Sequence, residues 1–473
     1  MTKYYHTFLK KISRISPLKE QERKTTTAGG RGREILSAYR HQIRHRFPSL
    51  MQELSCVPDV RKRKEYAIGE LLMGGLGMFL FRQDSRNEIN NKRREAGFSK
   101  SFERCFGTRL AHGDSIADVL CQLDPDSLEE VKMNLMAGLF EQKFLRKHRL
   151  LDKYYPVAVD ATGVVSFDHR HCPQCLTRTS KNGQTTYFHY VLEAKLVTSD
   201  GLCLSLASEW IENPEGEFEK QDCERKAFAR LAAKLKKHYP RLPVCILADG
   251  LYPYEGAFDT CQRNGWKYIF VLKDNTLKSV QEDLVIPRRR SPKKSCYHVK
   301  DGLRIASQYR FENGLAYKKR QVNWIECVEE RTRDMPRERR PAREKDPETH
   351  CFGYLTNLEV DGGNVIALAA GGRLRWKIEN EGFNTQKRGG YELEHKFCRI
   401  SLNGLKNYYT LLQIAHALNQ FVERSGVVRE QLKTHSKETV KNIWRMLVAY
   451  MIFACEQEHF TSRNGNRLSP APA

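Results

Sequence analysis

The chain has 473 residues, room for two or three domains of roughly 100–200 residues each. Its 40% hydrophobic and 29% charged residues exclude an intrinsically disordered chain. Lys and Arg number 80 against 57 Asp and Glu, a net charge of +23. That charge excludes basic partners and favours polyanions, nucleic acid first and anionic membrane second.

Residues 1–50 carry 12 basic against 3 acidic side chains, and 1–33 read as a flexible basic arm, either solvated or lying on phosphates. Residues 34–150 read as a helical N-terminal domain. The apolar run Leu71 to Phe81, broken by Gly74, Gly75 and Gly77, is shorter than the about 20 residues of a bilayer span and predicts a buried helix. Ile116, Val119, Leu120 and Leu123 recur at helical spacing behind a cap at Asp114 or Ser115. The N-terminus has no apolar run followed by a small-residue cleavage site. The fourteen cysteines are dispersed, as in a cytoplasmic protein with reduced thiols and no membrane association.

The pattern changes at Pro156. Val157–Ala161 predicts a short strand ending in Asp160. Tyr187–Val197 and Leu202–Trp210 predict a hairpin through Ser199-Asp200-Gly201. A helix is expected over Phe218–Tyr239, a strand over Val244–Leu247 leading into Asp249-Gly250, a short helix ending near Asn264-Gly265, and a strand over Tyr268–Leu272. This order predicts an α/β core with a mixed sheet across residues 151–280. Residues 281–368 read as a β-rich insertion with strand-like pieces at 304–311, 316–328 and 351–358. Two basic loops accompany them, one at Arg288–Arg290 and Lys293–Lys294, the other at Arg331–Lys345 with breakers at Pro336, Pro341 and Pro347. Helical patterning returns from Arg373 through Leu405–Phe421 and Val440–Ala454 within a segment 369–456, and 457–473 form a polar tail.

Asp160 and Asp249 each close an apolar run (PVAVD, VCILAD), a place at a sheet edge that ligands reach. A turn-initiating aspartate satisfies the same pattern. In RLRWKIENEGFNTQK (373–387), helical spacing puts Arg375 and Glu379 on one face, with Trp376 and Ile378 free to hold that helix on a core and Glu381 pointing elsewhere. An ordinary surface ion pair has the same spacing.

Together these residues are recognisable. The element order, Asp160, Asp249, the 373–387 segment, YELEHKF (391–397) and GELLMGGLGMFLFRQDSRNEIN (69–90) resemble a DDE transposase of a bacterial insertion sequence. Such a protein has a ribonuclease H-like core interrupted by a β-strand insertion. The resemblance covers roughly residues 60–425. It implies that Asp160, Asp249 and Glu379 are the catalytic carboxylates, on the first core strand, after the fourth, and on the helix behind the insertion, spaced by 89 and 130 residues. It implies two Mg²⁺ (or Mn²⁺) ions, double-stranded DNA partners (element ends and target), a homo-oligomer on DNA, a helical DNA-binding domain reading the terminal repeats, and a nucleoid-associated location. Related transposases carry a tyrosine and an arginine before the glutamate and a lysine after it. Arg375 matches the arginine, Gly372 stands where the tyrosine would be, Gln386 occupies the lysine position, and Lys387 lies one residue late. Arg375 and Lys387 are the DNA-contacting candidates.

Carboxylates suit this chemistry, because two divalent ions about 3.5–4 Å apart activate an attacking oxygen and stabilise a leaving one, and Mg²⁺ prefers hard oxygen donors. Asp168-His-Arg-His-Cys172-Pro-Gln-Cys175 contains a further metal half-site. Cys172 and Cys175 with His169 or His171, and with His189, could hold a structural Zn²⁺; a reduced loop and a redox pair fit the same residues. Two alternatives to a transposase remain: a nuclease that cuts without joining, and a DNA-binding descendant that has lost its chemistry. A zinc-organised nucleic-acid-binding module is a further reading.

Overall fold

The computed structural model describes residues 28–62, 64–214, 220–274, 276–300, 302–333, 348–434 and 438–464, with 28–29 and 454–464 described through their backbone alone. The chain divides into two compact units. One is drawn from residues up to Lys143 and from Phe383 onward; the other is Phe144–Gly382.

In its described residues the first unit is helical. Helix Ile68–Leu80 buries every residue except Glu70, whose carboxylate caps the helix at Ala67 N (2.9 Å) and pairs with Arg109 (3.1 Å). Leu402–Glu423 is buried almost throughout and packs on Ile68–Leu80, so two apolar helices form one core. Helix Val440–Asn464 crosses Ala96–Phe106 closely enough that a Cβ on Gly97 would stand 1.7 Å from the Ile452 carbonyl oxygen. Only glycine fits that approach. Helix Gly113–Gln122 is capped by the His112 ring, which accepts from Asp114 N. The cap therefore precedes the expected Asp114 or Ser115. The expected basic arm falls mostly on residues outside the description, but its last part is helix Ala28–Arg46. At the other end, helix Val440–Asn464 runs past the expected stop at Ala454.

Two segments named in the sequence meet in this unit. Arg82, just past the end of helix Ile68–Leu80, lies over the rings of Tyr391 (5.0 Å) and Trp444 (4.7 Å) and pairs with the Glu423 carboxylate. Tyr391 in turn accepts from Asn419 Nδ2 (3.0 Å).

Among its described residues the second unit is built on a ten-stranded mixed sheet. Strands β1 (Tyr155–Phe167), β2 (Leu176–Thr179), β3 (Thr185–Val197), β4 (Cys203–Ile211), β5 (Val244–Ala248), β6 (Lys267–Val271), β7 (Lys294–Lys300), β8 (Leu303–Tyr317), β9 (Arg320–Arg333) and β10 (Glu348–Thr356) run in the order β2-β3-β1-β5-β6-β10-β9-β8-β7, with β4 also on β3. β1–β5 and β5–β6 pair in parallel; the other pairs are antiparallel. β5 is buried throughout, as a parallel strand at the centre of a sheet must be. Helices Glu224–His238 and Glu255–Asn264 make the crossovers.

Several expectations change here. β1 does not end at the carboxylate but continues to Phe167, because β3 keeps pairing with it as far as Phe167↔Tyr187. The β-rich insertion is continuous with the core sheet, since β10 pairs with β6, and it contains an unexpected strand, β7. The helix after β4 starts at Glu224, because Gln221 and the Asp222 backbone are engaged in holding the preceding loop. The helix before Glu379 starts at Val365, eight residues earlier than expected, behind an Asp361 side chain that accepts from Gly363 N and Asn364 N. Among the described residues no helix is long and apolar enough to cross a membrane.

Candidate active site

The parallel register of β1 and β5 sets the site. Ala158 pairs with Leu247, an offset of 89 residues. Two residues further along, the same offset aligns Asp160 with Asp249. β5 stops at Ala248, so its chain turns away just there and uncovers that edge of β1. Asp160 sits in mid-strand yet is reachable. Its Oδ1 accepts from Ala161 N (2.9 Å). Asp249 Oδ1 accepts from Leu251 N (2.8 Å) and its Oδ2 pairs with Lys273 Nζ (3.2 Å).

Glu379 comes from the segment behind the insertion. Helix Val365–Arg373 gives way to a turn and then to π-helix Ile378–Asn384, a wider helical form frequent at functional sites. The turn presents Arg375, whose Nη1 donates to Glu379 Oε1 (2.8 Å) and reaches Asp160 Oδ2 (3.4 Å). One buried guanidinium thus joins the first and third carboxylates. Glu381 points elsewhere, to Lys377 Nζ (2.6 Å). Ile378 is buried as expected, but Trp376 is 48% exposed: it lies under the Arg375 guanidinium at 4.5 Å and does not anchor the helix.

Gly372 has no room for a larger side chain. A Cβ there would stand 2.6–2.9 Å from ring atoms of Tyr354, a buried β10 side chain. Gly372→Ala is expected to lower stability by about 1–3 kcal/mol, the usual cost of overpacking a core. Urea unfolding measures it, and unchanged stability would contradict the packing described.

A fourth carboxylate escaped the sequence reading. Glu224, first residue of helix Glu224–His238, accepts from Tyr252 Oη (2.7 Å) and lies within electrostatic reach of both Asp160 and Asp249. An acidic residue in a helix's first turn ordinarily serves the helix dipole, so spacing alone gave no signal. Burial raises the Glu224 pKa; the Tyr252 hydroxyl opposes the rise and Asp249 adds to it. The Asp160 pKa is pushed up to about 7, first by burial, with Glu379 and Glu224 adding to the rise and Arg375 and the Ala161 N–H opposing it.

The sign of the resulting pH dependence is fixed. Unfolded, Asp160 loses its proton near pH 3.8. Between that value and about 7 the folded state alone keeps it, so this group's contribution to stability falls as pH rises through the window. Asp160→Asn is therefore expected to raise the metal-free melting temperature more at pH 8 than at pH 5. Equal shifts at both pH values would contradict the burial argument.

Lys387 lies in the other unit, where it pairs with Glu394 (2.8 Å). Gln386 is buried there, donating to Gln413 Oε1 (2.8 Å). Three cations of the first basic loop make ion pairs. Arg288 pairs with Glu326, and Arg290 and Lys293 pair with Glu312. Most of the second loop lies outside the described residues; Arg331, at its start, is on β9 and pairs with Glu329.

Cys172, Cys175 and His189 cluster with ligand atoms within 4.8 Å of one another, a group able to hold a metal ion. His169 instead bonds Asp168 (2.7 Å), and His171 stacks on Phe167 (4.3 Å). No family model matches the chain, and no curated protein matches it.

Proposed function

We propose that this protein is a DDE-type DNA transposase with a ribonuclease H-like core. It binds the terminal inverted repeats of an insertion sequence and catalyses strand cleavage and strand transfer. The observation that carries the reading is the convergence of Asp160, Glu379 and Arg375 beside Asp249. β1, β3, β4, β5 and β6 stand in support, with the first aspartate on the first of them and the second directly after the fourth, as the resemblance implies. The net charge of +23 suits a polyanionic substrate.

The donor set fits Mg²⁺ or Mn²⁺: three carboxylates, with Glu224 as a fourth, and no sulfur or imidazole among them. Two such ions, when bound, supply activation of the attacking oxygen and charge stabilisation at the leaving one. Asp160 is central because it lies within electrostatic reach of Glu379 and Glu224 and the β1–β5 register aligns it with Asp249. Arg375 neutralises the carboxylates without metal and can turn a donor toward a phosphate. Tyr252 fixes the Glu224 carboxylate by its hydrogen bond. Phosphate contacts by Lys and Arg give affinity and salt dependence; base contacts give recognition of the ends.

The test is incubation of the protein with DNA carrying the element's flanking sequences, a target plasmid and Mg²⁺. Transposition predicts cuts at the element ends and their joining to the target. Cutting without joining would make it a nuclease, and binding without cutting a DNA-binding descendant.

A further inference from the structure

We infer that Cys172, Cys175 and His189 bind a structural Zn²⁺ that clamps the β1–β2 connection onto β3. The inference stands independently of the transposase reading. The three donor atoms form a nearly equilateral triangle: Cys172 Sγ to Cys175 Sγ is 3.5 Å, and each sulfur lies 3.4 Å from His189 Nε2. A tetrahedral ion with Zn–S near 2.3 Å and Zn–N near 2.0–2.1 Å separates its ligands by about 3.5–3.8 Å, so the triangle has nearly the dimensions of one face of that tetrahedron. Two thiolates and an imidazole select zinc over the hard cations that suit the carboxylates. Cys175 and His189 are buried, which shields the site.

The sequence separations give the ion mechanical work. Cys172 and Cys175 lie in the loop between β1 and β2, whereas His189 lies on β3, opposite Val165 of β1. Binding Zn²⁺, with release of the two thiol protons, closes that loop onto the sheet. The loop is bonded onward. Asn213, buried behind β4, donates Nδ2 to the Cys175 carbonyl (2.9 Å) and its backbone N–H to the Gln174 carbonyl (3.2 Å), and its Oδ1 accepts from Asp222 N (3.2 Å). Gln221 pairs with both backbone groups of Thr177. Two residues after Asp222 comes Glu224. The zinc clamp therefore steadies the start of the helix that carries the fourth carboxylate.

The experiment uses the full-length protein purified without chelator. It is expected to hold zinc in a 1:1 ratio, and replacement by Co²⁺ should produce thiolate-to-cobalt charge-transfer absorption with tetrahedral visible bands. Cys172→Ser should lose about half of the charge-transfer intensity. Should that variant fold poorly, alkylation of the wild type decides: Cys172 and Cys175 should resist iodoacetamide until Zn²⁺ is stripped. Wild type without zinc or thiolate bands, thiols equally reactive with and without metal, or a Cys172–Cys175 disulfide in protein prepared under reducing conditions would each overturn the inference.

Discussion

Asp160→Ala, Asp249→Ala and Glu379→Ala are each expected to reduce Mg²⁺-dependent cleavage and joining by roughly 10³-fold or more. Metal-assisted stabilisation of transition-state charge is worth several kcal/mol, and each ~1.4 kcal/mol is a factor of ten in rate. DNA affinity should hold, because phosphate contacts come from cations and removing a carboxylate removes none of them. Glu224→Gln keeps the shape and the Tyr252 hydrogen bond but loses the charge; a loss of about 10–100-fold, the usual effect of disturbing a group that supports metal ligands, is expected. Gel assays of end cleavage and strand transfer beside a binding titration measure all four. Full activity in any of the three alanine variants would remove that residue from the site.

Arg82→Met should destabilise the helical unit by about 3–5 kcal/mol, the range found when one partner of a buried ion pair is deleted. The side chains of Arg82 and Glu423 are only 9% and 18% exposed. Methionine fills the volume between Tyr391 and Trp444 but leaves the Glu423 carboxylate without this guanidinium. Burial already raises the Glu423 pKa, against the pull of Arg82, so the stability deficit should shrink as pH is lowered and Glu423 takes up a proton. Chemical unfolding at pH 5 and pH 8 reads both effects. A loss below about 1 kcal/mol, the scale of an exposed pair, would show that the cluster is peripheral.

The legible parts of the fold were those written in local patterns. PVAVD and VCILAD marked two strands of one sheet, and their 89-residue spacing is the β1–β5 register itself. The helix at Leu71–Phe81 was visible as an apolar stretch interrupted only by glycines, and Arg375–Glu379 as a four-residue spacing that survives the change to a π-helix. What stayed hidden depends on partners distant in sequence. The basic run at 288–294 gave no sign of the ion pairs that Arg288, Arg290 and Lys293 make with Glu326 and Glu312. β7 is mostly exposed, so no burial alternation announced it. Glu224 joins the candidate site only because the crossover helix starts near Asp160, in mid-β1, and Asp249, just past β5. His169 and His171 stand closer in sequence to the cysteines than His189 does, yet β-pairing brings His189 to them.

The most direct test of the central claim is anomalous diffraction from crystals of the protein bound to element-end DNA and soaked in Mn²⁺. Anomalous peaks are expected among Asp160, Asp249 and Glu379, next to the scissile phosphate, and are expected to be lost in Asp160→Asn. Mn²⁺ bound elsewhere, or DNA seated away from these carboxylates, would contradict that claim.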